Sequence, residues 1–308
     1  MKSHMLKRFV FTLALPVIYL FAFLPFPVLY LLSNFLKVIV FDLIGYRKQV
    51  IFTNLRNSFP TKSEDEILLI AKQFYRNFCD LLVEAIKLSV ISEKELVKRI
   101  KIIGYDKVEA FHQQGRSSII SVSHCGNWEY GPLIQGHVSS VPSMIVYKTI
   151  KNQPVDAFVK GIRSRFGSIL VPKENTLRKI AELKGKPWLL VLAGDQKPGG
   201  KSSPFWTYFL NQETNVFLGV EKIAKSTNSV VFYCDIRRLN RGYYEAEYSL
   251  LTDSPKEMEE LAITKMHLKA LEEAIKKNPS NWLWSHRRWK SKRPQNITLD
   301  TMIPEFAS

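Results

Sequence analysis

The chain has 308 residues, enough for one large domain or two small ones with a sizeable core. Its net charge of +16 calls for an anionic partner: nucleic acid, an anionic membrane face, or an acidic protein or substrate. Three widely spaced cysteines, Cys79, Cys125 and Cys234, form no CxxC pair, which suggests neither a disulfide framework nor a zinc knuckle and fits reduced thiols facing a cytoplasm.

No charged residue occurs from Phe9 to Leu36. A bilayer-crossing helix needs about 20 apolar residues, so this stretch is long enough. Pro25 and Pro27 break it into one segment before them and a second running to about Tyr46. Lys2, Lys7 and Arg8 lie before it, and Arg47, Lys48 and Arg56 after. Those charges fit a spanning helix and a re-entrant hairpin equally well. The stretch is too long for a signal peptide and has no convincing small-residue cleavage site. Residues 1–46 are therefore expected to be a retained membrane anchor, and 47–308 the functional domain.

Residues 61–90 read as an amphipathic helix. Ser63 to Glu66 makes a capping box, and Ile67, Ile70, Ala71, Phe74, Phe78, Leu82 and Ala85 recur at helical spacing. Beyond about residue 100 the pattern is α/β. Strands are expected at Ser118–Ser123, Ser143–Tyr147, Ser168–Val171, Trp188–Leu192, Val230–Ile236 and Tyr244–Leu250. Helices are expected at Pro154–Phe166, Asn175–Leu183, Val216–Lys225 and Lys256–Lys277. Such alternation predicts a mostly parallel sheet covered on both faces, with the last strand pair antiparallel about Gly242.

The most informative segment is Ser121-Val122-Ser123-His124-Cys125-Gly126-Asn127-Trp128-Glu129, which follows a strand and opens a helix. Sites in α/β sheets gather at the C-terminal ends of strands. An imidazole can take a proton from an alcohol near neutral pH if a carboxylate fixes its tautomer, and Glu129 is the candidate five residues on. Taken alone, H-x4-E also describes a histidine at a turn and a glutamate complementing a helix dipole. Cys125 beside His124 reads as a small buried hydrophobe, because sequence neighbours rarely meet as a Cys–His dyad. The other histidines lack metal-ligand spacing. There is no Walker A loop and no GxGxxG, so no cofactor or metal is expected.

Company decides the reading. His124-Cys125-Gly126-Asn127-Trp128-Glu129 resembles the catalytic motif of the bacterial lipid A biosynthesis acyltransferases of the lauroyl/myristoyl type, within the lysophospholipid acyltransferase superfamily. Arg47, Asn54-Leu55 and Phe59-Pro60 resemble the start of such enzymes. Tyr147-Lys148, Asn152, Asp156 and Arg163 through Gly167 resemble a second block. Gly194-Asp195-Gln196 with Pro204-Phe205 resembles a third, and Asn281 to Lys290 resembles the W-x-W-x-H-R-R-W-K ending. The likeness runs over nearly the whole chain.

The resemblance implies a glycerol-3-phosphate-acyltransferase-like α/β fold behind a hydrophobic membrane-anchoring helical segment. It implies His124 as general base oriented by Glu129, with Arg163 near the acceptor or the developing oxyanion and Asp195 beside the site. Asn127, Trp128, Tyr147, Lys148, Arg165, Gln196, His286, Arg287 and Arg288 are expected on substrate. Lys197, Lys201 and Lys290 join the last two as phosphate candidates, while Lys292 and Arg293 read as a solvated tail. Trp282, Trp284 and Trp289 read as core or membrane-interface anchors. The implied donor is an acyl-acyl carrier protein or acyl-CoA, and the implied acceptor a lipid A precursor or another glycolipid such as a mannosylated phosphoinositide. The implied location is the inner membrane, catalytic domain facing the cytoplasm. Two rivals remain: a hydrolase giving the acyl group to water, and a membrane-tethered anionic-ligand binding protein without catalysis. No nucleic-acid module is recognisable.

Overall fold

The computed structural model describes residues 2–198 and 205–300, with side chains from residue 11 onward. Gly199, Gly200, Lys201 and Pro204 lie outside the described residues. Helix α1 (Lys2–Phe23) is followed by α2 (Phe26–Lys37), which continues through a π-helical stretch at Val38–Leu43. The break falls where the prolines predict it. Pro25 caps α2 in an extended conformation, and Pro27 sits in the first turn, where a missing N–H leaves no helical bond unmade. The helix Phe26–Leu43 is long and apolar enough to cross a membrane by length and composition.

Both helices dock on the rest of the chain. After α3 (Lys48–Ser58) comes α4 (Glu64–Lys87), whose capping box forms as expected between Ser63 and Glu66. Tyr30 of α2 donates to Glu84 of α4 at 3.0 Å, and Ser33 to Asp80 at 2.6 Å. Lys87 donates to the carbonyls of Ala22 and Leu24, each at 2.9 Å, closing the end of α1. Asp80 is fully buried and is held as well by Arg238 and Arg241, each at 2.6 Å. Removing one partner of such a buried pair costs about 3–5 kcal/mol. The outward faces are apolar: Leu13, Val17 and Leu20 on α1, then Leu31 and Phe35 on α2 with Val38 at the start of its π-helical continuation, each set at i, i+4, i+7.

The remaining elements are α5 (Glu93–Arg99), β1 (Ile100–Ile103), α6 (Tyr105–Gln113), β2 (Ser118–Val122), α7 (Tyr130–Val138), β3 (Ser143–Tyr147), α8 (Gln153–Arg163), β4 (Ile169–Pro172) and α9 (Thr176–Glu182). They continue with β5 (Leu189–Ala193), β6 (Trp206–Phe209), β7 (Gln212–Asn215), α10 (Gly219–Thr227), β8 (Val230–Asn240), β9 (Tyr243–Thr252), α11 (Ala262–Lys277) and β10 (Leu299–Asp300).

Seven strands form one mixed sheet in the order β1-β9-β8-β2-β5-β3-β4. Every pairing in it is parallel except β8 with β9, which is antiparallel as expected. Alternation sends neighbouring residues to opposite faces. Ile120 packs with Leu133, Cys234 and Ile236 on one side, and Ile119 packs with Leu190, Val231 and Ile263 on the other. Helices cover both faces, and burying one such aliphatic side chain contributes about 1.5–3 kcal/mol.

Three departures from the sequence reading have local causes. The edge strand β1 is only four residues long. The β6–β7 hairpin turns on Leu210 and Asn211, both at positive φ (48° and 62°), and leucine there gives no turn signal. Helix α11 begins at Ala262 rather than Lys256, because Leu261 adopts a left-handed conformation.

Candidate active site

His124 stands on the loop that leaves β2, at the C-terminal edge of the sheet, beside the end of β5. The loop turns sharply at Gly126, φ +57°, where a Cβ would meet the Ile236 carbonyl oxygen at 2.5 Å. Only glycine fits that approach. The turn is pinned to the C-terminal segment: Gly126 N–H donates to the Asn281 carbonyl (2.9 Å), and Leu283 N–H to the His124 carbonyl (3.1 Å).

The carboxylate on the ring is Asp195, which follows β5. Asp195 Oδ1 lies 2.7 Å from His124 Nδ1, while Oδ2 accepts from the His124 backbone N–H (3.1 Å) and from Trp282 Nε1 (2.9 Å). Asp195 is 1% exposed. Burial alone would raise its pKa; His124, Trp282 and the backbone donor outweigh that and hold it below the usual carboxylate range. Burial likewise disfavours a charged His124, but the charge and hydrogen bond of Asp195, with Glu129 adding, raise its pKa above the ordinary histidine value. Nδ1–H is thereby engaged, and Nε2 remains for a proton taken from elsewhere.

Glu129, expected on the ring, is instead turned to Arg163. The guanidinium grips it with two bonds, 2.9 and 2.6 Å, and Trp128 Nε1 donates to it at 3.1 Å. The cause is local. Glu129 opens α7 with its own N–H bonded to Asn127 Oδ1, so its side chain leaves toward α8, which carries Arg163. Trp128 stands edge-on to the imidazole at 5.1 Å between centroids.

His124, Trp128 and Arg163 rim a narrow cavity whose walls are otherwise mainly apolar: Val122, Gly131, Ile145, Val191, Cys234 and Ile236 among them, with Gln135 and Tyr248 hydrogen-bonded to each other on its lining. An imidazole at the mouth of an apolar slot suits a substrate with a reactive polar end and a hydrocarbon body.

Other expected site residues fall in varied places. Asn127 is fully buried and donates to Glu84 at 2.6 Å, so it braces the loop. Arg165 donates to the Leu88 carbonyl beyond α4 at 2.6 Å. Tyr147 is buried at the end of β3, Lys148 and Arg287 are exposed, and Gln196 is half-buried beside Asp195. Arg288 is 1% exposed, with Nε, Nη1 and Nη2 unbonded among the described residues; burial lowers its pKa to about 10. Burial, with Arg288 adding, also keeps His267 and His286 neutral, both pushed down to about 4.

Lys292 is exposed as expected, whereas Arg293 is not a solvated tail: it binds Glu213 at 3.0 Å and the Ile297 carbonyl at 2.6 Å. Cys125 is 2% exposed, and burial raises its thiol well above the ordinary value, as suits a packed hydrophobe rather than a thiolate. The sequence reads Trp282 only as core or interface. It is 2% exposed, and its indole N–H also holds Asp195. No group of histidines, cysteines and acids among the described residues could hold a metal ion.

Comparison with known proteins gives the same direction. The family described as bacterial lipid A biosynthesis acyltransferase matches residues 1–291. The chain is 23% identical over 279 residues to the lipid A biosynthesis palmitoleoyltransferase of Escherichia coli K12, covering 90% of each chain. It is 23% identical over 287 residues to the lauroyltransferase of the same organism, covering 92% of each. A lipid A biosynthesis acyltransferase of Haemophilus influenzae aligns at 24% identity over 196 residues, 63% of this chain and 61% of that one. With a histidine–aspartate pair at the mouth of an apolar slot and a family match over nearly its whole length, the chain belongs to the bacterial lipid A biosynthesis acyltransferases and is an acyltransferase.

Proposed function

We propose that this protein moves a fatty acyl group from acyl-acyl carrier protein, or from acyl-CoA, to a hydroxyl of a phosphorylated, acylated glucosamine disaccharide, with His124 as general base oriented by Asp195. The observation that carries the reading is the 2.7 Å contact between His124 Nδ1 and Asp195 at the rim of the apolar slot. Nε2 takes the hydroxyl proton as the oxygen attacks the thioester carbonyl. The tetrahedral adduct collapses, the thiolate leaves, and the imidazolium returns the proton to it. Arg163 lines the same cavity, and its Glu129 clamp fixes the guanidinium toward the developing oxyanion or the acceptor. The sheet and its helices suit a glycerol-3-phosphate-acyltransferase-like fold, and the net charge of +16 suits an acidic carrier protein.

The acyl chain is assigned to the slot, and Gly131 tests it. A Cβ there meets only Ile236 Cδ1, at 3.8 Å, so a side chain can be added without a backbone clash. Gly131→Leu is expected to reduce transfer of long acyl chains about 10–200-fold while sparing short ones, the range that an apolar pocket gives for small changes in fit. Competition between thioester donors of different chain length measures it. An unchanged length preference in a folded Gly131→Leu variant would take the acyl chain out of this slot.

Membrane attachment is assigned to residues 1–46 at the inner membrane, with the catalytic domain on the cytoplasmic side. Leu20→Asp combined with Leu31→Asp alters two outward residues, each 68% exposed, and leaves the docking contacts with α4 intact. Charged groups are costly in hydrocarbon, at about 2.5–3.5 kcal/mol each on insertion scales. The double variant is expected to shift from the membrane pellet to the supernatant. Sedimentation equal to wild type would move the attachment surface elsewhere.

A further inference from the structure

A second cavity, of about 700 Å³, opens between α2, α4 and the tip of the β8–β9 hairpin, away from the apolar slot. Four of its eleven lining residues are cationic, Lys37, Arg76, Arg238 and Arg241, and none is acidic. The rest are five side-chain amides, Ser280 and Leu239. Two acids bind these cations from outside the lining: Asp42 holds Lys37, and the buried Asp80 holds both Arg238 and Arg241. The lining thus keeps a surplus of two positive charges. The Arg76 side chain is exposed and has no hydrogen-bond or ion-pair partner among the described residues.

Guanidinium groups take phosphate through paired donors, and amides and hydroxyls can both give and accept hydrogen bonds, as a sugar requires. One wall is Asn34 and Lys37 of α2, the helix whose adjoining face carries the exposed Leu31 and Phe35. A ligand here would therefore lie beside the exposed apolar face of α2.

The cavity also shares β8 and the segment around residue 280 with the His124 site. Cys234, Ile236 and Arg238 alternate onto one face of β8; the first two line the slot at His124 and the third lines this cleft. Ile236 and Arg238 are about 7 Å apart along a strand. Ser280 on the cleft wall directly precedes Asn281 and Trp282, which bond Gly126 and Asp195.

We propose that this cleft binds the phosphorylated sugar headgroup of the glycolipid acceptor, with Arg76 as the cation that takes its phosphate. The assignment rests on the acceptor class given above, but it is tested by binding, without turnover. Arg76→Glu is the useful variant, because Arg238 and Arg241 hold a buried acid and their loss endangers the fold. Full-length protein is floated with phosphatidylcholine vesicles doped with diphosphorylated, tetraacylated glucosamine disaccharide, with its dephosphorylated form, or with phosphatidylglycerol.

Wild type is expected to favour the diphosphorylated glycolipid. Arg76→Glu is expected to lose about tenfold or more of that preference, and Arg76→Lys to keep most of it. Arg76→Glu binding like wild type would overturn the proposal. An equal loss on phosphatidylglycerol vesicles would also overturn it, giving the cleft to bulk lipid phosphate instead. A wild type that binds through this cleft yet transfers no acyl group would refute the acyl-transfer reading and leave the headgroup site standing.

Discussion

His124→Ala is expected to lower single-turnover acyl transfer by about 10²–10⁴-fold while leaving the protein folded, because a positioned base is worth that much when an alcohol must lose its proton. The fold should survive. The ring is only partly buried, and the loop is held by the Gly126 and Leu283 backbone bonds, which the substitution keeps. Asp195 would lose its ring partner but keep two donors, the residue-124 backbone N–H and Trp282. Transfer from a thioester donor to a lipid A precursor, with circular dichroism as the folding check, measures it. Near-normal transfer by a folded His124→Ala protein would end the general-base reading. Cys125→Ser should retain most activity, and a trapped acyl-enzyme lost with that substitution would replace the scheme with covalent catalysis.

The parallel core strands and the helix α4 were legible in the sequence because local signals agree there. Apolar runs bounded by turn residues mark β2, β3 and β5, and a capping box precedes a long 3.6-residue period in α4. The hairpin β6–β7 was not legible, since its turn uses Leu210 at positive φ, a conformation imposed by packing rather than by residue preference. Within the site, His124 could be read from its place after a strand. Its partner could not. Spacing along the chain nominated Glu129, but parallel pairing of β2 with β5 brings residue 195, 71 positions away, to the imidazole. The Gly194-Asp195-Gln196 block was the available signal, and it placed Asp195 beside the site without saying what it touches. Trp282 gave no signal of its hydrogen bond at all, because tryptophans near a C-terminus read first as core.

Asp195→Asn is the sharper test of which acid serves the base. Oδ2 of Asp195 accepts two N–H groups, from the His124 backbone and from Trp282, so an amide NH₂ cannot take that position. The asparagine must turn its NH₂ toward His124 Nδ1. The ring then carries its proton on Nε2, the wrong tautomer for a base acting there. Transfer is expected to fall about 10²–10⁴-fold, as much as for His124→Ala, with little change in shape or packing. The pH profile adds a second reading. Asp195 raises the His124 pKa, and the base works neutral, so wild-type activity should rise with pH through a midpoint above the ordinary histidine value. Losing the Asp195 charge should move whatever limb remains to lower pH. Glu129 acts through Arg163 in this scheme, so Glu129→Ala, Arg163→Ala and the double variant should lose similar amounts, because residues acting as a unit are non-additive. Glu129 raises the His124 pKa and Arg163 lowers it, so the acid limb should move to lower pH in Glu129→Ala and to higher pH in Arg163→Ala, each by less than in Asp195→Asn. A double-mutant cycle decides: coupling of Glu129 with Asp195, and independence of Glu129 from Arg163, would return Glu129 to the imidazole and leave Asp195 as scaffold.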